Sequence, residues 1–183
     1  MQPHDQILLI LDIDETLLYA ADRPLDRRPD CQIGPYAVYL RPYLTDFLNQ
    51  VSQHYRIAVW SSSSPDYVDA VVDTIFPKWI ELKFSWSRER CINRYDPELH
   101  EQYYIKDLKK VRRQGYHLER VLIVDDTPRK VERNYGNAIY VTPWFGDQND
   151  HELQLLTKYL LQIRDQANLR RIEKRNWKSR SKL

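Results

Sequence analysis

The chain has 183 residues, of which 42% are hydrophobic and 30% are charged, and its formal net charge is +2. This size and composition predict one globular domain with a hydrophobic core. They exclude a transmembrane span, because the apolar run from Ile7 to Leu11 is far shorter than the ~20 residues that a spanning helix needs. The N-terminal residues lack a secretory signal, and the two cysteines are too few for a disulfide framework or a four-ligand zinc site. We therefore expect a cytoplasmic protein.

Three apolar runs in the first two thirds of the chain predict strands that are buried on both faces of a parallel sheet. Each run stops at polar residues. The runs and the residues that follow them are Ile7 to Leu11 before Asp12, Arg56 to Trp60 before Ser61 to Ser64, and Arg120 to Val124 before Asp125-Asp126. A fourth strand is predicted from Ala138 to Val141.

Helical patterns lie between these strands. Pro42 to about His54 forms the first, and Ser64-Pro65-Asp66 provides a cap and an initial proline for the second. Asp107 can cap a third helix that runs to Gln114 before Gly115. A last helix is predicted from near Asp150, with one apolar face made by Leu153, Leu156, Leu160 and Ile163.

The alternation of strands and helices predicts a three-layer, Rossmann-like α/β fold, in which a parallel sheet has helices on both faces. Residues 1–163 would form this domain, and residues 164–183 a basic C-terminal helix or tail. No gap between the predicted elements has room for a large cap domain. Asp22 to Pro35 reads as a loop, and between Tyr19 and Leu40 only Tyr36 to Tyr39 predicts a strand.

Acidic side chains should meet at one edge of this sheet. Asp12 and Asp14 leave the first strand, and Asp125 and Asp126 leave the third. Carboxylates gathered in this way repel one another, and the usual remedies are a hard cation with oxygen ligands or a raised pKa. Ligands of doubly wound sheets bind at this edge, so the sequence predicts a functional site there.

The motif Asp12-Ile13-Asp14-Glu15-Thr16 followed by Leu17-Leu18 resembles the first motif of the haloacid dehalogenase superfamily. Further motifs are similar to those of the C-terminal-domain phosphatases and their NLI-interacting-factor-like relatives, and the similarity runs from about Ile7 to Leu161. These motifs are Leu40-Arg41-Pro42, Arg88-Glu89-Arg90-Cys91, Tyr104 to Leu108 and Trp144-Phe145. The resemblance implies a magnesium-dependent phosphomonoester hydrolase of the haloacid dehalogenase type with an aspartyl-phosphate intermediate.

The resemblance also implies residue roles. Asp12 would be the nucleophile, and Asp14 would protonate the leaving oxygen and later deprotonate water. Phosphate would be bound by Ser61, Ser62, Lys106 and Arg88. The Mg²⁺ ligands would be Asp12, Asp125, the main-chain carbonyl of Asp14 and, directly or through water, Asp126.

The substrate is left open between three hypotheses. The first is a phosphoprotein, which would make the chain a protein serine/threonine phosphatase. The second is a polynucleotide end or a small metabolite, since residues 164–183 carry eight Lys and Arg against two acids, a net charge of +6 that leaves −4 on the rest. The third is a weakly catalytic protein-binding module on the same fold. We expect a monomer without membrane contact, and such a charge run is more often a solvated helix face than a binding site.

Overall fold

The structure is a computed structural model that describes residues 6–180. The strands are β1 (Ile7–Leu11), β2 (Leu18–Ala21), β3 (Cys31–Ile33), β4 (Tyr36–Leu40), β5 (Tyr55–Trp60), β6 (Ser85–Trp86), β7 (Ile92–Asp96), β8 (Glu101–Ile105), β9 (Val121–Asp125) and β10 (Ala138–Tyr140). The α-helices are α1 (Leu44–Val51), α2 (Pro65–Ile75), α3 (Lys109–Arg112), α4 (Glu152–Ile163) and α5 (Trp177–Arg180). Short 3₁₀ helices lie at Arg88–Arg90, Leu118–Arg120, Pro128–Val131 and Leu169–Arg171.

A five-stranded parallel sheet forms the centre, in the order β10-β9-β1-β5-β6. In the central strand β1 every residue is buried, as the unbroken apolar run predicts. Ile7 pairs with Tyr55 of β5 and Leu8 with Val121 of β9, so the carboxyl ends of these three strands lie at one edge. The predicted three-layer α/β fold is therefore confirmed.

The two faces of the sheet have separate cores because successive side chains of β1 point in opposite directions. On one face, Leu9 and Leu11 pack in a large cluster with α1, α2 and α4. On the other face, Leu8 and Ile10 pack in a second cluster with side chains of α3 and with Val131. The apolar stripe that predicts α4 is buried as expected.

The interpretation of Asp22 to Pro35 as a loop was wrong only at Cys31–Ile33, which form β3. The expectation that only Tyr36 to Tyr39 would form a strand between Tyr19 and Leu40 also missed β2. Strands β2, β4 and β3 form a small antiparallel sheet in which Ile33 pairs with Tyr36 across Gly34-Pro35. Gly34 has φ 54°, a conformation that glycine adopts without steric cost. β3 is only three residues long and carries no clear alternation, so the hairpin depends on this turn and on pairing with β4.

The basic C-terminal segment packs on the domain. Leu169 and Trp177 are buried in the core beside α4, and the indole Nε1 of Trp177 donates to the carbonyl of Tyr140 at 2.7 Å. The Nζ of Lys174 is also buried and donates to the carbonyl oxygens of Leu169, Ile172 and Gly136 at 2.5, 2.8 and 2.9 Å. A solvated helix face therefore describes this segment only in part, and the division after Ile163 stays a prediction.

Between residues 6 and 180, the helices are all too short or too polar to cross a membrane.

Candidate active site

The polar residues that end three strands meet at one edge of the central sheet. Asp12 follows β1, Ser61 follows β5, and Asp125 is the last residue of β9. The amide of Asp12 donates to the carbonyl of Val124 at 3.0 Å, which continues the pairing of β1 and β9 to this edge. Asp12, Ser61 and Asp125 are each at most 1% exposed.

Lys106 bridges two of these acids. Its Nζ lies 2.5 Å from Asp12 Oδ1 and 2.6 Å from Asp125 Oδ2, and all three side chains are buried. Burial raises the pKa of Asp12, but the charges of Lys106 and Lys130 outweigh it and leave that pKa below its usual value. Burial and the charge of Asp12 raise the pKa of Asp125 to about 6. Asp12 is therefore the more readily ionised acid of the pair.

A second lysine, Lys130, lies near Asp12 and Asp126 and was missed in the sequence. Its Nζ lies 3.5 Å from Asp12 Oδ2 and 3.6 Å from Asp126 Oδ1. The 3₁₀ helix Pro128–Val131 places Lys130 one turn after Asp126, which brings the ammonium back over the strand end. The four-residue spacing after an acid pair, with a proline between, is the signal that could have found it.

Asp14 contacts the loop after β5 and the start of α2. Its carboxylate accepts hydrogen bonds from the Ser63 hydroxyl at 2.8 Å and the Tyr67 hydroxyl at 2.6 Å. Burial raises the pKa of Asp14, and the charge of Asp12 adds to this, although the two hydroxyl donors oppose it. A carboxyl group with a raised pKa and fixed orientation is suited to proton transfer.

The predicted phosphate-binding residues occupy different depths. The Oγ of Ser61 accepts from the amide of Ser63 at 3.0 Å, whereas Ser62 is only half-buried. Arg88 is exposed, and its amide donates to the carbonyl of Ser63 at 2.9 Å. Arg88 also lines a cavity of about 110 Å³ together with Ala20, Tyr36, Ser63, Ser64 and Tyr67.

This cavity connects the small antiparallel sheet to the acids. Ala20 and Tyr36 belong to that sheet, and the Tyr36 ring meets the Tyr67 ring edge-on at 5.7 Å between centroids. Tyr67 in turn donates to Asp14. Sequence reasoning missed Tyr67, which lies in the first turn of α2, because no local pattern marks a tyrosine that points back to the sheet edge. The hydroxyl of Ser64 makes no capping hydrogen bond to α2, contrary to the expected cap.

Three carboxylates form a candidate cation site. Oxygen atoms of Asp12, Asp125 and Asp126 lie within 4.8 Å of one another. Among residues 6–180, Asp12 Oδ2 and Asp126 Oδ1 are buried oxygens without a hydrogen-bond partner. Buried carboxylate oxygens left without donors fit a hard divalent cation such as Mg²⁺. The Asp14 side chain is not a member of this group, and the contact of its main-chain carbonyl with a metal stays a prediction.

Arg41 supports the loop that carries the acids. It is 1% exposed, and its Nη1 donates to the carbonyls of Thr16 at 3.0 Å and Glu15 at 3.4 Å. Glu15 has φ 58°, a conformation that costs free energy for a residue other than glycine. The amide of Trp144 also donates to the Glu15 carbonyl, at 2.9 Å. These contacts offset the strain next to Asp14.

The arrangement thus brings Asp12, Asp125, Asp126 and Lys106 together, with Asp14 and Ser61 beside them. The chain has a haloacid dehalogenase-like fold. It superposes on a haloacid dehalogenase-like hydrolase structure from Bacteroides fragilis with a TM-score of 0.52 at 14% identity, over 81% of this chain and 92% of that one. The structure of Fcp1, an RNA polymerase II CTD phosphatase, matches with a TM-score of 0.66 at 18% identity, over 88% of this chain and 63% of that one.

The sequence model of the NLI interacting factor-like phosphatases matches residues 7–170, so the chain belongs to that family. It is 28% identical over 169 residues to the human carboxy-terminal domain RNA polymerase II polypeptide A small phosphatase 1, covering 88% of this chain and 61% of that protein. It is 31% identical over 153 residues to a probable C-terminal domain small phosphatase of Dictyostelium discoideum, covering 79% of this chain and 46% of that protein. The chain therefore spans less than two thirds of the length of these relatives.

Proposed function

We propose that the chain is a Mg²⁺-dependent phosphatase that hydrolyses phosphomonoesters through a phosphorylated Asp12. The observation that carries the proposal is the buried bridge of Lys106 between Asp12 and Asp125, which leaves Asp12 Oδ2 without a hydrogen bond. An ionised carboxylate that the charge of Lys106 holds in place is able to attack phosphorus. Membership of a phosphatase family and the haloacid dehalogenase-like fold support this chemistry.

The first step forms a bond between an Asp12 oxygen and phosphorus and breaks the ester bond. Asp14, held by Ser63 and Tyr67, gives its proton to the departing oxygen. In the second step the Asp14 carboxylate takes a proton from water, the water oxygen attacks phosphorus, and Asp12 is released with inorganic phosphate. Asp14 is thus the acid of the first step and the base of the second, and after both steps the site is back in its starting state.

Cations at the site offset the repulsion between anionic phosphate and Asp12. Lys106 supplies one positive charge at fixed distance, and Ser61, Ser62 and Arg88 are proposed to contact phosphoryl oxygens. Mg²⁺ would be held by the carboxylates of Asp12, Asp125 and Asp126 and the carbonyl of Asp14. It would neutralise charge that develops on the phosphoryl group.

We propose a phosphoserine or phosphothreonine protein as the substrate. Two observations support a peptide: the cavity beside Asp14 has tyrosine walls from Tyr36 and Tyr67, and Arg88 at its rim provides a charge for a flexible anionic chain. The relatives named above as CTD phosphatases agree with this class. We also propose a cytoplasmic location, since Cys31 and Cys91 are both free thiols.

The test is turnover of purified protein on a chromogenic phosphate monoester between about pH 5 and 8. Mg²⁺ should support turnover and a chelator should abolish it. Asp12→Asn should remove turnover, whereas Asp73→Asn, which changes an exposed aspartate on α2, should not. Activity that persists in Asp12→Asn would contradict the proposal. A matched panel of phosphopeptides, oligonucleotide ends and sugar phosphates then distinguishes the protein substrate from the alternatives.

A further inference from the structure

The acids at the sheet edge are balanced by two lysines of different character. Lys106 has a fully buried side chain and contacts Asp12 and Asp125 at 2.5 and 2.6 Å. Lys130 has a side chain that is 21% exposed, and its nearest carboxylate oxygens are a full ångström farther away, at 3.5 and 3.6 Å. Lys106 is therefore held by two short, buried ion pairs, whereas Lys130 has longer contacts and a side chain that is partly exposed to solvent.

The oxygens that lie nearest to Lys130 lack a hydrogen-bond donor and are therefore available to a cation. Asp12 Oδ2 and Asp126 Oδ1 are the same atoms that are buried without a hydrogen-bond partner within residues 6–180. Both acids belong to the candidate cation group with Asp125. One positive group, the ammonium of Lys130, thus lies next to the oxygens that Mg²⁺ would use.

The charge of Lys130 also acts on every carboxyl group of the cluster. The groups are Asp12, Asp14, Glu15, Asp125 and Asp126. The three acids of the candidate cation group, Asp12, Asp125 and Asp126, already outnumber the two lysines, so an excess of negative charge remains even with Lys130 in place. The site therefore still attracts a divalent cation, but the ammonium of Lys130 repels that cation and lowers its affinity.

We propose that Lys130 is a resident counter-cation that holds the cation position between Asp12 and Asp126 in the metal-free protein and is displaced when Mg²⁺ binds. This inference rests on the proposed function, because it requires the carboxylate group to be a Mg²⁺ site. It assigns Lys130 a positioning role: the residue keeps the acids from repelling one another while the site has no metal, and it weakens the affinity for metal in return.

The experiment is calorimetric titration of Mg²⁺ into the full chain and three variants. Lys130→Gln removes the competing charge and should lower the Kd for Mg²⁺ at least about threefold. Lys130→Arg keeps the charge and should bind Mg²⁺ like the native chain. Lys158→Gln, which removes an exposed lysine on α4, is the matched control and should also leave the Kd unchanged.

A second measurement uses the native chain and does not depend on how a variant folds. With ¹³C-labelled lysine, the side-chain signal of Lys130 is assigned by its loss in Lys130→Arg. Saturating Mg²⁺ should move this signal towards that of the exposed Lys158. An unmoved Lys130 signal at saturation, or a Kd that Lys130→Gln leaves unchanged or raises, would overturn the inference while the proposed metal site stands. No Mg²⁺ binding by any of the four proteins would overturn both.

Discussion

Arg41 and Asp150 form a two-point ion pair between parts of the chain that are far apart in sequence. Arg41 Nε lies 2.9 Å from Asp150 Oδ1, and Nη2 lies 2.8 Å from Oδ2. The same guanidinium donates to the carbonyls of Thr16 and Thr142. Arg41 therefore joins the loop of the acids to the segment before α4, which explains the arginine of the Leu40-Arg41-Pro42 motif.

Asp150→Asn should destabilise the protein at neutral pH and less so in acid. Burial raises the pKa of Asp150, but the hydrogen bonds and charge of Arg41 hold it below its usual value. A carboxyl group whose pKa is depressed by folding contributes stability above its unfolded pKa, about 3.9, and loses it as the pH falls through the folded pKa. We expect a loss of about 2 kcal/mol at pH 7, which shrinks below about pH 4.

Urea unfolding of both chains at several pH values measures this difference. Asp73→Asn is the control, because Asp73 pairs with Lys78 at the surface, where both side chains are about four-fifths exposed. It should cost less than about 0.5 kcal/mol. An equal effect of Asp150→Asn at neutral and acid pH would show that the ion pair does not supply the stability.

Lys106→Met should lower both stability and turnover, for separable reasons. It leaves Asp12 and Asp125 as buried neighbours without their shared cation, which costs on the order of 3–5 kcal/mol. Adding Asp125→Asn removes one of the unpaired charges, so the double variant should recover part of that free energy of unfolding. Turnover should stay at least about 100-fold low in both, since the charge facing phosphate is missing.

Thermal denaturation and steady-state assays of the two single variants and the double variant complete this cycle. Equal stability of Lys106→Met and the native chain would contradict the description of Lys106 as the bridge between the acids.

Asp14→Asn should slow the first step by a factor that depends on the leaving group of the substrate. An alkoxide such as that of serine needs a proton, so formation of the phosphorylated enzyme from a phosphoserine peptide should fall about 10²–10⁴-fold. Nitrophenolate leaves without a proton, so the same step with nitrophenyl phosphate should fall much less. Rapid-quench measurement of this step with both substrates tests the acid role, and an equal loss with both would argue that Asp14 only orients other groups.

Trp177→Ala should show that the basic segment is part of the folded domain. The indole is 2% exposed and bonded to the Tyr140 carbonyl, so its removal should cost about 3–5 kcal/mol. Tyr135→Ala is a control, since Tyr135 is 78% exposed and should cost less than about 0.5 kcal/mol. A loss in Trp177→Ala as small as in the control would mean that the segment is not anchored by this side chain.

Much of the architecture follows from local pattern in the sequence. The apolar run of β1 and the spacing of α4 predict their own burial, and polar residues directly after buried strands predict where Asp12 and Asp125 meet. β3 was not predictable in this way, because three residues carry no periodicity and their pairing depends on the turn at Gly34.

The supporting residues of the site are determined by tertiary contacts. Arg41, Tyr67 and Lys130 each reach the acids or their loop from a different element, and only the folded chain brings them together. In the sequence, Arg41 is marked only by the Leu40-Arg41-Pro42 motif and Lys130 only by its spacing from the acid pair, and no pattern marks Tyr67. The roles of Asp12, Asp14, Ser61 and Arg88 remain predictions that the experiments above address.

The most direct test of the proposed function is to trap the phosphorylated enzyme and locate the phosphate. Native protein with Mg²⁺ and substrate is quenched in acid during turnover, treated with borohydride and digested for mass spectrometry. We predict reduction of Asp12 alone, in the peptide after β1, and no reduced residue in Asp12→Asn. Turnover without any reduced aspartate, or phosphate found on Ser61 instead, would contradict the aspartyl-phosphate account.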